Sequence, residues 1–273
     1  MNIKGNILDN LSQIYAIVEK ETKLQLRIKT NLILSYIMPI ISLIIPLIIM
    51  GQIFTLAEAF GPWNSQNFFI FMLSTYQITL LNRLTSAFSN NLLREKAWRT
   101  LPALIIAPFN RFNLLFGIFF SHLVVISIPF AIFIIICYIY YPISILTILS
   151  VLTLYFFLAL FFSGIGLVIG VFAISKESVV RILNVFYSIA VWFSCLSMPF
   201  EFFPGFFRNI VIYNPLFYNF VIIRLVWIED NIVFSLLNHG FNFFVLIGTG
   251  LVVSIMGVFF FNYIYKKYGI AGY

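Results

Sequence analysis

The sequence predicts an all-α polytopic membrane protein, on the basis of its composition and the length of its uncharged segments. Hydrophobic residues make up 62% of the 273 residues and charged residues only 9%, whereas soluble domains average about 25% charged residues. No Asp, Glu, Lys or Arg occurs between Arg111 and Lys176. A helix needs roughly 20 apolar residues to cross a hydrocarbon core. This segment therefore has room for two crossings and a turn at Tyr141–Pro142.

Unbroken apolar runs favour helices over barrel strands. Only helices and closed barrels satisfy every backbone polar group inside a bilayer, and barrel strands would alternate polar and apolar residues. The runs Leu32–Phe54 and Ile143–Ile174 show no such alternation. We therefore predict six transmembrane helices, at residues 32–54, 67–89, 112–140, 143–174, 179–200 and 240–265.

The basic residues predict the orientation of these spans. Lys and Arg are concentrated in the amino-terminal arm, after spans two and four, and beyond span six, positions that share one side of the membrane. Because cytoplasmic loops carry the excess of basic residues, we expect a multi-pass protein of the cell (inner) membrane with both termini cytoplasmic. The net charge of +7 is spread over span ends rather than one interleaved patch, which argues against a nucleic-acid partner. Residues 1–31 also lack the early apolar core of a cleavable signal peptide.

Residues 1–31 are predicted to contain a cytoplasmic amphipathic helix that lies flat at the membrane interface. One face carries the apolar residues Ile7, Leu11, Ile14 and Val18, and the opposite face carries Asp9, Gln13, Lys20 and Lys23. This helix serves either as a simple topology anchor or as a docking helix that shapes the seat of a cytoplasmic partner.

The sequence lacks the motifs of a nucleotide hydrolase or a metalloprotease, so we expect no enzyme activity and no cofactor in this chain. A lipid-modifying enzyme would need clustered Asp, His or Ser at one depth, and an ion-coupled carrier would need a charge relay within its spans. Arg83 is predicted to extend to the cytoplasmic surface, and His122 to be a hydrogen-bonded structural residue rather than part of a relay. Cys137 and Cys195 are interpreted as small buried hydrophobic residues.

Glycines in spans four and six predict close helix packing. Gly166 and Gly170 form a G-x-x-x-G pair, and Gly248, Gly250 and Gly257 follow in span six. Small residues let helix backbones approach one another. The sequence leaves open whether the partner helix belongs to the same subunit or to a second copy.

The loop at residues 90–111 contains a recognisable pattern. It begins with charges around a short amphipathic turn and passes through Ala107–Pro108 into the next span. The pattern resembles the cytoplasmic loop of type 2 ABC transporter permeases, roughly R-E-x-G-T-L-E-x-L-L-x-x-P-x-S-R followed by L-L-x-G. The matching residues are Arg94, Glu95, Thr100, Leu101, Leu104, Pro108, Arg111, Leu114, Leu115 and Gly117. Trp98 and Arg99 stand where the family often has glycine, and Pro102 replaces a common acidic residue.

Residues 201–228 carry the second resemblance. Asn214 is a good helix cap and Pro215 suits the first helical position, so two helices of about 10 residues, too short to cross, are predicted here. We expect an external re-entrant hairpin with Glu201, Arg208 and Arg224 near its rim. The segment is similar to the family's P-x-x-x-x-P-x-x-x-R and N-P-L-x-Y-x-x-x-x-x-R pattern, although Tyr218 comes one position later than the common tyrosine.

The resemblance implies that residues 32–273 form the permease domain of an ATP-driven exporter. ATP and Mg would be bound by separate ATPase subunits, and a second permease copy would complete a homo- or heterodimer in the lipid bilayer. The implied sites are an ATPase-coupling helix over Arg94–Leu101, an external gate, and a path between spans one and five. Their residues are Arg94, Glu95, Lys96, Trp98 and Arg99 for coupling; Glu201, Pro204, Arg208, Asn214, Pro215 and Arg224 for the gate; and Phe186, Tyr187, Trp192 and Phe193 for the path. The alternative for the coupling charges is that they only fix topology.

The cargo is expected to be hydrophobic or amphipathic: a drug, a lipid or a lipid-linked saccharide. The polysaccharide-exporting branch tends to carry a tyrosine–arginine and tryptophan-containing run where span one begins, and Arg27–Ser35 lacks it. A polysaccharide exporter therefore remains the alternative, followed by an ATP-independent carrier.

Overall fold

The computed structural model describes residues 3–27, 29–56, 59–99, 111–175 and 177–268, and these residues form a helical bundle. The α-helices are α1 (Ile3–Arg27), α2 (Lys29–Leu56), α3 (Phe68–Asn82), α4 (Leu84–Ala97), α5 (Arg111–Tyr140), α6 (Ile145–Ser175), α7 (Glu177–Trp192), α8 (Gly205–Ile212), α9 (Pro215–Glu229) and α10 (Ile232–Tyr268). A 3₁₀ turn spans Phe200–Phe202. The all-α expectation holds, apart from one small antiparallel hairpin that the sequence analysis did not predict.

That hairpin pairs β1 (Ala59–Phe60) with β2 (Trp63–Asn64) and precedes α3. Gly61 sits in its turn with φ of +60°, a conformation that glycine adopts without steric cost. Trp63 is buried and packs edge-on against Phe71, with ring centroids 4.9 Å apart. The hairpin is therefore fixed to α3 by aromatic packing.

Among the described residues, four helices are long and apolar enough to cross a membrane, and they coincide with predicted spans one, three, four and six. The qualifying stretches are Leu32–Phe54 in α2, Phe112–Tyr140 in α5, Ile145–Phe172 in α6 and Ile232–Tyr263 in α10. The last helix begins at Ile232, earlier than predicted, and its backbone is non-helical at His239. The chain is thus a multi-pass membrane protein.

The other two predicted spans differ from a single long helix. Residues 67–89 fall on α3 and α4, which are separated at Arg83. The apolar part of α7 runs only from Ser178 to Trp192, so this helix ends before the predicted boundary at 200 and is shorter than the roughly 20 residues of a full crossing. Membrane crossing by these two segments stays a prediction.

Helix α6 lies at the centre of the bundle, and α10 and α4 pack most extensively against it. A Cβ atom at Gly166 would lie 2.6 Å from the carbonyl oxygen of Leu84, and one at Gly257 would lie 2.7 Å from that of Gly164. Glycine at these positions therefore permits close packing within the subunit. Gly248 differs, since a Cβ atom there would meet no atom of the described residues within 4 Å.

Helix α1 packs along α5 through a largely polar stripe. The amide of Asn113 donates hydrogen bonds to Asn10 (2.7 Å) and Gln13 (2.8 Å), and Ile17 packs against Gly117. Gln13 was expected on the face away from the apolar residues, yet it contacts α5. The contacting face lies between the two predicted faces, since Asp9 and Lys23 are exposed and Ile14 and Val18 are half-buried. Apolar side chains of α1 remain exposed, including Leu8, Leu11 and Tyr15. The predicted amino-terminal helix is present, and its position at the membrane interface stays a prediction.

Candidate coupling segment, gate and groove

Two ion pairs attach the carboxyl-terminal end of α4 to α1. Lys20 Nζ lies 2.7 Å from Glu95 Oε1, and the Arg94 guanidinium pairs with the Glu21 carboxylate. Glu95 and Glu21 are buried, at 6% and 3% exposure. Arg94 also lies over the Trp98 ring, 5.2 Å from its centroid. The two residues that sequence reasoning assigned to polar contacts with an ATPase thus pair with α1 inside this chain.

The residues that follow these pairs point outward. Trp98 is 53% exposed, and Arg99 is also exposed, with a left-handed backbone at φ of 57° that ends the helical path. The side chain of Lys96 and all of residues 100–110 lie outside the described residues. Of the predicted coupling helix, the structure therefore describes the α4 portion up to Ala97 and the turn at Trp98 and Arg99.

His122, on α5, contacts both α1 and α4. Its Nε2 atom is 3.3 Å from the amide nitrogen of Gln25 and 3.4 Å from that of Asn91. Both amides can donate to an unprotonated ring nitrogen. These contacts agree with the prediction of a hydrogen-bonded structural histidine, and they extend the contact between α1 and α4.

The carboxyl-terminal end of α7 is held by two gate residues from a distant part of the chain. The Asn214 amide donates to the carbonyl oxygens of Ala190 (2.6 Å) and Phe193 (3.0 Å), while its oxygen accepts from the Leu216 N–H at 3.1 Å. The last carbonyls of a helix have no intrahelical donor, and the Asn214 amide is the donor for two of them here. It also caps α9, as predicted from the Asn214–Pro215 pair.

Arg224 continues this arrangement from the interior. Its guanidinium donates to the carbonyl oxygens of Cys195 (2.9 Å) and Leu196 (2.6 Å), and to the hydroxyls of Ser74 (3.1 Å) and Thr75 (2.8 Å). The residue is only 1% exposed and lies over the Phe71 ring, 3.8 Å from its centroid. Arg224 was expected near the rim of the hairpin, and instead it joins α3, the turn after α7 and α9.

In the same region Arg208 is exposed and Glu201 is half-buried. Arg208 donates to the carbonyl oxygens of Phe203 (2.7 Å) and Glu201 (2.5 Å). The Glu201 carboxyl packs directly against Gly61 of the hairpin turn. Pro204 precedes α8, and α8 and α9 meet at 89° around Asn214 and Pro215. A sharply bent pair of this kind is either a broken span or a re-entrant hairpin.

The far end of α9 is fixed by carboxylates. Glu229 Oε1 lies 2.9 Å from His239 Nε2, at the irregular point of α10, and Asp230 accepts from the Ser144 N–H at 2.8 Å. Burial raises the pKa of Asp230, but hydrogen bonds from Ser144 and Thr147 outweigh it, so this pKa lies below its usual range. These contacts connect α9 to the start of α6 and to α10.

A groove opens between α2, the α3–α4 break and α7. Its polar half is a cavity of about 530 Å³, with Met38, Asn82, Arg83, Asn184, Tyr187 and Ser188 among its lining residues. Its apolar half, about 520 Å³, is lined by Val185, Ile189, Trp192, Phe193 and Phe203 and shares Asn184 and Ser188 with the first. The two halves therefore follow one face of α7.

The predicted path residues occupy different places around this groove. Trp192, at 81% exposure, and Phe193 line its apolar half, and Tyr187 lines the polar half, where its hydroxyl donates to Asn82 Oδ1. Phe186 is exposed but lies outside the lining of both halves. Sequence reasoning missed Asn184 and Ser188, although two polar residues four positions apart mark one face of an apolar helix.

Comparison with known protein families gives a match over most of the chain. The family model described as ABC-2 type transporter matches residues 12–227, which include the α4 end, the groove and nearly all of α9. No curated protein sequence matches the chain.

Proposed function

Because the chain belongs to the ABC-2 type transporter family, we propose that it forms the translocation path of an ATP-driven exporter for a hydrophobic or amphipathic substrate. Drugs, lipids and lipid-linked saccharides are the candidate cargoes. The family's membrane subunit is not itself catalytic and typically works with ABC ATPase partners, which bind ATP and Mg. The chain would lie in the cell (inner) membrane with both termini cytoplasmic.

The observation that carries this proposal is the firm attachment of the α4 end to α1. A surface that transmits force from an ATPase needs a rigid base. Buried Glu95 and Glu21, paired with Lys20 and Arg94, supply one directly before the exposed Trp98–Arg99 turn. We therefore assign the ATPase contact to Trp98 and Arg99, and the positioning of that contact to Arg94 and Glu95.

Two consecutive helices of the chain connect this surface to the proposed external gate. Helix α4 follows α3 directly, and α3 carries Ser74 and Thr75, the hydroxyls that bind Arg224. Displacement of the α4 end would thus be passed through α3 to the residues that bind Arg224 of the proposed gate. The break at Arg83 lies between the two ends and faces the groove.

The groove supports the path assignment. It opens between α2 and α7, the helices that correspond to predicted spans one and five, and both helices leave broad apolar faces exposed. A second permease copy placed against these faces would enclose the groove. The α8–α9 hairpin would then close it on the external side as a re-entrant gate.

Copurification tests the proposal first. The tagged chain is extracted from native membranes in mild detergent, and its partners are identified by mass spectrometry. We expect a stoichiometric subunit with a phosphate-binding loop, whose ATP hydrolysis increases when the permease is present. Reproducible absence of such a subunit, with the chain folded and active in transport, would favour the ATP-independent carrier instead.

Charge reversal localises the contact. Arg99→Glu is expected to weaken ATPase binding about tenfold or more, as loss of one interface anchor typically does. Arg208→Glu is the matched control, because it reverses an exposed arginine near the external gate. Equal ATPase binding by wild type and Arg99→Glu would contradict the assignment of Arg99.

A further inference from the structure

We propose that Arg83 binds the headgroup of an anionic amphipathic substrate in the groove beside α7. This inference rests on the proposed function and names its substrate class. The ligand is a molecule with a phosphate or carboxylate headgroup and an apolar tail.

Arg83 lies where its guanidinium can bind such a headgroup. It is half-buried at the α3–α4 break and lines the polar half of the groove. Among the described residues, no Asp or Glu lies within ion-pair distance of its guanidinium, whereas Arg94 pairs with Glu21 and Arg224 is surrounded by hydroxyl and carbonyl oxygens. A partly desolvated guanidinium presents a fork of donors that matches phosphate and carboxylate oxygens.

Neutral polar side chains line the same cavity as the guanidinium. Asn82 and Thr85 flank it in the chain, and Asn184 and Ser188 face it from α7 across the same cavity. The side-chain amide nitrogens of Asn82 and Asn184 can donate to the remaining oxygens of an anionic headgroup and add no competing charge. The hydroxyls of Thr85 and Ser188 already donate to Asn82 Oδ1 and to the Asn184 carbonyl oxygen. The polar half of the groove is therefore suited to one anion rather than to a cation.

The apolar half suits the tail. Val185, Ile189, Trp192, Phe193 and Phe203 continue the groove from Asn184 and Ser188. The eight residue steps from Asn184 to Trp192 extend roughly 12 Å along the helix. A glycan would require polar groups throughout this length, so charge at one end and apolar walls at the other favour an amphipathic anion.

Binding to the purified full-length chain tests the inference without the ATPase. The chain is reconstituted in nanodiscs of phosphatidylcholine, and binding of radiolabelled dodecyl phosphate is measured above the background of empty discs. Dodecyltrimethylammonium and dodecyl maltoside serve as competitors with the same tail and a cationic or neutral head. We expect wild type to prefer dodecyl phosphate over both.

The variants assign that preference to Arg83. Arg83→Gln is expected to weaken dodecyl phosphate binding about tenfold, as loss of a charge-assisted hydrogen bond does, and Arg83→Lys to retain most of it. Lys23→Gln is the charge-matched control, because Lys23 is exposed on α1, pairs with Glu19 and lies outside the groove. The lysine variant also controls for folding, since it changes the same position and keeps the charge.

Two results would overturn the inference: wild type without preference for dodecyl phosphate, or Arg83→Gln with wild-type affinity for it. Failure of the proposed function is distinguishable from both. A chain that binds the anion but copurifies with no ATPase would overturn the exporter assignment and support the headgroup site. A chain with a stoichiometric ATPase but no anion preference would do the reverse.

Discussion

Arg224 shows how a buried cation can be held without a carboxylate. A charge in a low-dielectric interior is costly unless its donors are satisfied, and Arg224 donates to two backbone carbonyls and two hydroxyls. The carbonyls belong to Cys195 and Leu196, just past the end of α7. Arg224 therefore stabilises the irregular turn between α7 and the gate.

We predict that Arg224→Met destabilises the chain by about 2–4 kcal/mol, because it leaves buried carbonyls and hydroxyls without donors. Arg224→Lys should be intermediate, since lysine keeps the charge but lacks the planar fork. Thermal unfolding of the purified variants in detergent measures this, with Arg181→Gln in α7 as an exposed arginine control. An unchanged melting temperature for Arg224→Met would contradict the role assigned to Arg224.

Local and distant features differ in how far sequence predicts them. Asn214 was identified as a helix cap because the cap depends on the residues directly after it, and its bond to the Leu216 N–H bears this out. The burial of Arg224 was not predicted, because two of its partners, Ser74 and Thr75, precede it by about 150 residues. The bonds from Asn214 to Ala190 and Phe193 span only 24 and 21 residues, but they join separate elements and leave no local sequence signal either.

At the scale of elements, α6 and α10 form the most extensive helix contact among the described residues. A Cβ atom at Gly257 would lie 2.7 Å from the Gly164 carbonyl oxygen, and one at Gly250 would lie 2.7 Å from that of Phe157. Both neighbours are backbone atoms of a long helix and cannot move alone. The backbones of the two helices are therefore in direct contact, as small residues in membrane helices allow.

Gly257→Ala is expected to destabilise the chain by roughly 1–3 kcal/mol through overpacking. Gly248→Ala, on the same helix, is the matched control: its new methyl group meets no described atom, and alanine favours a helix interior. The yield of monodisperse protein and its thermal unfolding measure both. Equal stability of the two variants would show that α10 does not lie this close to α6.

The second element-scale prediction concerns the attachment of α1 to α4. Glu95→Lys should reduce ATPase stimulation, because it places two cations together at a buried position beside Lys20. If Glu95 acts by holding α1, the exchange Lys20→Glu with Glu95→Lys should restore most of the stimulation. ATP hydrolysis by the reconstituted complex is the readout. A double variant as inactive as Glu95→Lys would instead indicate direct contact of Glu95 with the ATPase.

Helix positions were predictable where apolar runs are long, and helix ends were not. Continuous apolar sequence is sufficient to identify α2, α5, α6 and α10, because lipid leaves the backbone no alternative. The end of α7 at Trp192 has no proline or glycine beside it. The side chains of Asn214 and Arg224 bind the carbonyls that follow the end of α7. Those contacts exist only in the folded bundle, so the sequence does not reveal this helix end.

At the scale of the whole molecule, the single chain leaves α2 almost uncovered. Only 6% of the most apolar stretch of this helix is buried. Lipid alone could cover that face. The groove beside it carries Arg83, Asn82, Asn184 and Ser188, and polar groups exposed to hydrocarbon are costly. A second copy that packed on α2 and α7 would remove this cost, and it would also enclose the proposed path.

We therefore predict that cysteines at Ile41 in α2 and Ile182 in α7, singly and together, give crosslinked dimers with a short bifunctional maleimide in native membranes. Both side chains are exposed, as is the control position Ile128 in α5, which should give none. Background labelling should be low, because Cys137 and Cys195 are buried. Crosslinking at Ile128 alone would place the partner on α5, and the groove would then open to lipid.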